Sequence, residues 1–204
     1  MTKLDLKKLE QYRARHGSFE VLDVPEARYL AVDGRGDPNT SSAFREAVET
    51  LFPVAYALKF RSARELGRDY VVPPLEGLWW AEDHAVFTTA RDPESWLWTL
   101  LVLVPDWVAD ELVTATVSEV AAKKAPPRVA ALRLERLAEG RCVQTLHLGP
   151  FSEEGPVLAR LHEEFLPAHG LRPSGKHHEV YLSDLRRTAP ERLRTILRQP
   201  VAPA

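Results

Sequence analysis

Glu179 and Tyr181 stand two residues apart in His177-His178-Glu179-Val180-Tyr181-Leu182. The stretch reads as a strand. Alternate side chains share a face, so the carboxylate and the phenol project together while His178 and Val180 point the other way. An acid beside a phenol can hold a water and take its proton, or bind a cationic group of a ligand. A solvated sheet face could carry the same pair without any chemistry. A second glutamate, Glu76, lies in a comparable aromatic-flanked strand, Pro73-Pro74-Leu75-Glu76-Gly77-Leu78-Trp79-Trp80. If both strands line one cleft, its chemistry is that of two carboxylates. Trp79, Trp80, Trp96 and Trp98 gather around one hairpin. With Tyr56, Phe60 and Phe87 they either pack a core or form an aromatic pocket for a flat ligand. Adjacent His177 and His178 diverge on a strand and cannot share one metal ion. His84, His147 and His162 lack metal-site spacing, so no metal is expected. Gly34-Arg35-Gly36 lacks the lysine and longer glycine pattern of a phosphate loop and reads as a turn. No G-x-S-x-G elbow is present.

The elements that must position these residues occur twice. Arg28 to Gly36 reads as a strand ending in a glycine turn, followed by a helix with Phe44, Ala47, Val48 and Leu51 on one face. The strand around Glu76 and the apolar run Trp96 to Val104 complete the first pass. The second begins at Cys142-Val143-Gln144-Thr145-Leu146-His147-Leu148-Gly149-Pro150-Phe151. It continues through a helix carrying Leu158, Leu161 and Phe165, the strand around Glu179, and Thr195-Ile196-Leu197-Arg198. Each half is strand, helix, strand, strand. The expected fold is therefore α+β, with two pseudo-symmetric βαββ halves, about 18–124 and 125–204, forming antiparallel sheet around a central cleft. All of 1–204 is expected to be one domain. In finer detail, residues 3–15 read as a short charged helix. The helix from Ser42 is expected to stop by Pro53, with a second piece from Val54 to Glu65. Asp106 is expected to cap a helix running to Lys123. Val129–Leu137 and Arg141–Leu148 read as a hairpin, and Pro156–Phe165 as the second-half helix.

The chain has 204 residues, enough for a full core, and a net charge of −2 from 27 Lys and Arg against 29 Asp and Glu. That balance supplies no drive toward nucleic acid or lipid. No apolar run reaches the roughly 20 residues of a membrane span. A single cysteine, Cys142, leaves no internal disulfide. It points to a reducing, cytoplasmic setting and reads as a small buried strand residue.

Taken together, these motifs, with Gly175-Lys176-His177-His178-Glu179-Val180-Tyr181-Leu182-Ser183-Asp184 and the ending Pro190 to Pro200, resemble the GyrI-like family. The resemblance runs from Phe19 to Pro200, without the DNA-binding helices of transcription-factor relatives. It resembles a stand-alone branch that includes cyclopropanoid cyclopropyl hydrolases, which add water across the strained cyclopropane of DNA-alkylating natural products. The resemblance implies that Glu179 projects into the aromatic cleft as the catalytic carboxylate, with Tyr181 beside it. Ligand contacts are then expected from Glu76, Trp79, Trp80, Tyr56, Phe87, Trp98, Phe151 and His178. The expected ligand is a planar aromatic or cationic small molecule. No cofactor, nucleic acid or membrane partner is expected, and the oligomeric state is left open. A drug-sequestering protein and a gyrase-inhibitor-like, partner-binding protein are the alternatives.

Overall fold

The computed structural model describes residues 3–81, 92–184 and 187–204. In chain order the elements are β1 (Leu4–Asp5), β2 (Glu20–Val24), β3 (Ala27–Arg35), α1 (Ser42–Glu65), β4 (Tyr70–Val71), β5 (Leu75–Trp80), β6 (Leu97–Val104), α2 (Asp110–Lys124), β7 (Arg133–Leu137), β8 (Gly140–Leu148), α3 (Gly155–Ala159), α4 (Leu166–Ala168), β9 (Leu171–Pro173), β10 (His177–Tyr181) and β11 (Arg194–Pro203). The order strand, helix, strand, strand recurs as expected, as β3-α1-β5-β6 and β8-α3/α4-β10-β11, with short β4 and β9 interposed. The fold is α+β with mainly antiparallel sheet. The chain forms two compact units.

The first unit holds Met1–Lys8, Ala27–Pro73 and Ala81–Leu137. Its sheet has β3 at the centre, paired antiparallel with β6 and β7. The helix α1 packs on β3, β6 and α2. Its buried positions Ala47, Leu51, Val54, Ala55, Leu58 and Ser62 follow helical spacing straight through Pro53. The helix therefore continues where the sequence predicts a stop: the apolar face on either side of Pro53 outweighs the one backbone hydrogen bond that proline removes. Residues 3–15 also differ from expectation. They form β1, parallel to β4, and two 3₁₀ turns, Leu6–Lys8 and Glu10–Tyr12. The helix α2 starts at Asp110, not after Asp106. The preceding segment instead wraps the Arg28 guanidinium, which donates to the carbonyls of Pro105, Asp106 and Val108 and pairs with the Asp110 carboxylate.

The second unit holds Leu9–Glu26, Pro74–Trp80 and Ala138–Ala204. Its sheet runs β2-β8-β11-β10-β5, antiparallel throughout, with β9 also pairing β11. The expected hairpin of β7 with β8 does not form. Both edges of β8 are taken by β2 and β11, while β7 pairs with β3. The turn between them is drawn inward because Glu139 is buried against His178 and Arg198. The second-half helix is not a single α-helix. A π-helical stretch, Arg160–Phe165, joins α3 to α4. Its Leu161, with Leu166, packs on Val143, Leu171 and Val201, flanked by Phe19 and Phe165.

Candidate functional site

Strand register decides which side chains meet. On β10, Glu179 lies opposite Gly77 and Leu197, and Tyr181 opposite Leu75 and Thr195. Directly paired residues share a face, so Glu179, Tyr181, His177 and Trp79 project from one side of the sheet. This is the side on which Val143 receives the helical segment. Glu76 pairs with Val180, and His178 with Leu78, so both project from the opposite side. The two glutamates expected to face one cleft are thus separated by the sheet itself.

Around Glu179 the geometry is built for proton chemistry. The Trp79 indole Nε1–H donates to the Tyr181 hydroxyl at 3.0 Å. Tyr181 and Glu179 project from the same face of β10 two residues apart. Burial, followed by the negative charge of Glu179, pushes the Tyr181 phenol well above its ordinary value, so it stays protonated. The Phe151 ring meets Tyr181 edge-on at 5.7 Å. His177 Nε2 lies 3.6 Å from Glu179 Oε1, and the two side chains are 17% and 13% exposed. Gly77 makes the arrangement possible. A Cβ there would come within 2.9 Å of Trp79 Nε1 and 3.0 Å of the Tyr181 hydroxyl. Gly77→Ala is therefore expected to break the Trp79–Tyr181 hydrogen bond while leaving the strand paired. The check is the Trp79 indole proton resonance, which should move upfield; an unchanged resonance would contradict the close approach.

One participant is absent from the sequence reading. Glu154 ends the 3₁₀ turn Phe151–Glu153 and precedes α3. The turn is held by His147, whose Nε2 bonds the Pro150 carbonyl at 3.1 Å. An acid at a helix start is ordinarily favoured as the anion. Here burial and then the charge of Glu179 push the Glu154 carboxyl up, to about 10. Its Oε1 is buried and meets no hydrogen-bond partner among the described residues. The sequence offers only an acidic pair before Gly155-Pro156, a pattern common to solvated helix starts, so burial was the missing information. An unfolded glutamate releases its proton near 4.5, whereas Glu154 keeps it to about 10, so stability falls as pH rises through that window. Glu154→Gln removes this penalty. Its melting temperature relative to the native chain should rise between about pH 5 and pH 8; a constant difference would contradict a buried neutral acid.

The opposite face holds a second cluster. His178 Nδ1 is 2.9 Å from Glu139 Oε1, and His178 Nε2 is 3.0 Å from Glu76 Oε2. Arg198 Nη1 donates to Glu139 Oε2 at 3.0 Å, and Arg198 Nε donates to Gln144 Oε1 at 3.2 Å. Tyr12 donates its hydroxyl proton to Glu76 Oε1 at 2.5 Å, and Arg198 also donates to the Gln11 carbonyl. Glu76, His178 and Arg198 are wholly buried. Glu76 and His178, expected as ligand contacts, are thus already engaged by protein groups.

The remaining expected residues scatter. Trp80 projects with Glu76 and carries the Lys176 ammonium over its ring at 3.2 Å from the centroid. Tyr56 and Trp98 belong to the first unit. Tyr56 is 49% exposed on α1, whereas Trp98 is wholly buried. The Trp98 ring covers Gly34 and meets Phe44 edge-on, and its indole donates to the Gly36 carbonyl, so it serves the core and not a stacking surface. Phe87 lies outside the described residues. Cys142 is buried, and burial pushes its thiol up to about 12, which makes it a packing residue. Among the described residues no group of three or more His, Cys, Asp or Glu could hold a metal ion. Among them, too, no helix is long and apolar enough to cross a membrane.

Residues 103–202 match the model of the GyrI-like small molecule binding domain. An uncharacterized conserved protein from Listeria innocua is 40% identical, with 98% of this chain and 100% of that one covered and a TM-score of 0.88. A hydrolase from Listeria innocua is 38% identical over the same shares, with a TM-score of 0.83. The EcmrR C-terminal domain shares the fold at 9% identity, covering 92% of this chain and 98% of that one, with a TM-score of 0.56. No curated protein matches the chain.

Proposed function

We propose that this chain, whose residues 103–202 match the GyrI-like small molecule binding domain, is a hydrolase that adds water to the strained cyclopropane of planar, DNA-alkylating cyclopropanoid compounds. The observation that carries this reading is the face shared by Glu179, Tyr181 and Trp79, with the Trp79 indole fixing the Tyr181 hydroxyl, and with the buried carboxyl of Glu154, raised by burial and by Glu179, close by. One fixed acid and one fixed base are what the reaction needs. Support also comes from the 38% identical relative described as a hydrolase.

In a spiro-cyclopropane conjugated to a dienone, water attacks the ring carbon. The ring carbon–carbon bond breaks, and its electron pair moves through the dienone onto the carbonyl oxygen, giving a phenol. Glu179 takes the proton leaving the water, and Tyr181, fixed by Trp79, holds that water in line. Glu154 gives its proton to the developing phenoxide. Proton transfer between the two carboxyls restores the starting state. The product is the substrate plus one water. Trp79 and Phe151 provide aromatic surface for a flat substrate. The test is incubation with a cyclopropanoid alkylator followed by mass analysis. A catalytic gain of one water is expected. Stoichiometric recovery of intact compound from the protein would replace the hydrolase with a sequestering protein of the same family.

A further inference from the structure

We propose that His178 is a positioning residue for the candidate site: from the far face of β10 it locks the strand segment that presents Glu179 and Tyr181. The inference rests on the site assigned above but not on its reaction. His178 and Glu179 are consecutive, so the imidazole on one face and the carboxylate on the other hang from the same stretch of backbone. What holds one side chain fixes the height and twist of the other.

The hold comes from every element packed against His178. Strand β5 contributes Glu76, the turn before β8 contributes Glu139, and β11 contributes Arg198. The N-terminal turn contributes Tyr12 through Glu76. Strand β8 contributes Gln144, which bonds Arg198 and donates to the Arg13 carbonyl at 2.7 Å. Two cations, His178 and Arg198, thus balance two carboxylates, Glu76 and Glu139, in a buried cluster. His178 Nδ1 is hydrogen-bonded to Glu139 and Nε2 lies 3.0 Å from Glu76 Oε2, a placement between two carboxylates that favours the imidazolium. Neutral His178 would leave two buried carboxylates to one guanidinium, and an unpaired buried charge forces rearrangement. Burial is the largest influence on the imidazole and pulls its pKa down. Glu139 and then Glu76 more than offset it, leaving the group raised to about 9. The lock is therefore closed at neutral pH and opens on the alkaline side.

The reporter is the Trp79 indole N–H, which donates to Tyr181 on the site face. Its nitrogen–proton resonance is followed from pH 6 to 10 in a Glu154→Gln background, alongside the carbon resonances of His178. The expected result is a Trp79 inflection with the same midpoint as His178, lost in His178→Gln. If that variant does not fold, Glu139→Gln serves in its place. Removing one counter-charge should move the shared midpoint down by about 1–3 pH units. A Trp79 resonance that is flat while His178 titrates, or one that inflects identically in the variants, overturns the proposal. Neither outcome depends on turnover, so failure of the hydrolase reading leaves this test intact.

Discussion

Glu179→Gln is expected to bind a cyclopropanoid compound as the native chain does while losing about 10²–10⁴ in turnover, the usual effect of removing a positioned base. Glutamine keeps the shape of the side chain, and Tyr181 is held by the Trp79 indole, so Trp79 and Tyr181 should stay in place. Binding is read from quenching of tryptophan fluorescence and turnover from the mass gain of one water. Glu76→Gln is the contrasting variant. Its carboxylate faces the other side of the sheet and contacts Tyr12 and His178. At pH 6, where His178 stays protonated and the strand it holds stays in place, its effect should fall on folding rather than on the rate constant of the folded protein. A native rate in Glu179→Gln would remove the base from the mechanism. A rate loss confined to Glu76→Gln, in folded protein, would assign the chemistry to the wrong face.

Arg198→Met is expected to give the largest loss of stability, about 3–5 kcal/mol, the cost typical of breaking a buried ion pair on one side. Arg198 is wholly buried and bonds Glu139, Gln144 and the Gln11 carbonyl, tying the N-terminal turn to the sheet. Methionine fills much of the volume but leaves Glu139 with His178 alone. Equilibrium denaturation in urea measures the loss, and a change below about 1 kcal/mol would show that the cluster holds little of the fold together. Adding Glu139→Gln should recover part of the loss, because the uncompensated charge is then gone. The pH dependence has a definite sign. Burial opposes ionisation of Glu139, but the charges of His178 and Arg198 override it and lower the carboxyl to about 2. Its contribution is present above an ordinary glutamate value of 4.5 and fades as pH falls toward 2. The contribution of His178 is complete below 6.5 and fades as pH rises through about 9.

Much of the architecture is legible in the residues. Period-two alternation around Glu179 fixes the face shared with Tyr181, and the recurrence of strand, helix, strand, strand is present in chain order. The partner of that face is not legible. Alternation gives the phase of each strand but not the register between strands, and the pairing of Gly77 with Glu179 puts Glu76 on the far side. Glu139 illustrates the same limit. It sits in Ala138-Glu139-Gly140, which reads as a hairpin turn, yet His178 and Arg198, 39 and 59 residues away, draw it into the interior. Pro53 carries a strong local signal to stop a helix, and tertiary packing along α1 overrides it. Glu154 carries no distinguishing local signal. Its chemistry comes from burial by a turn that His147 holds in place.

The division of labour between an acid and a base is most directly tested by carbon-13 titration of the side-chain carboxyls of Glu154 and Glu179, assigned with the two glutamine variants. The Glu154 resonance is expected to keep the shift of a protonated carboxyl through neutral pH and to move only near 10. The late transition should shift to lower pH in Glu179→Gln, where the neighbouring charge is gone. A Glu154 resonance already at the carboxylate position at pH 7, with or without Glu179, would contradict that division of labour.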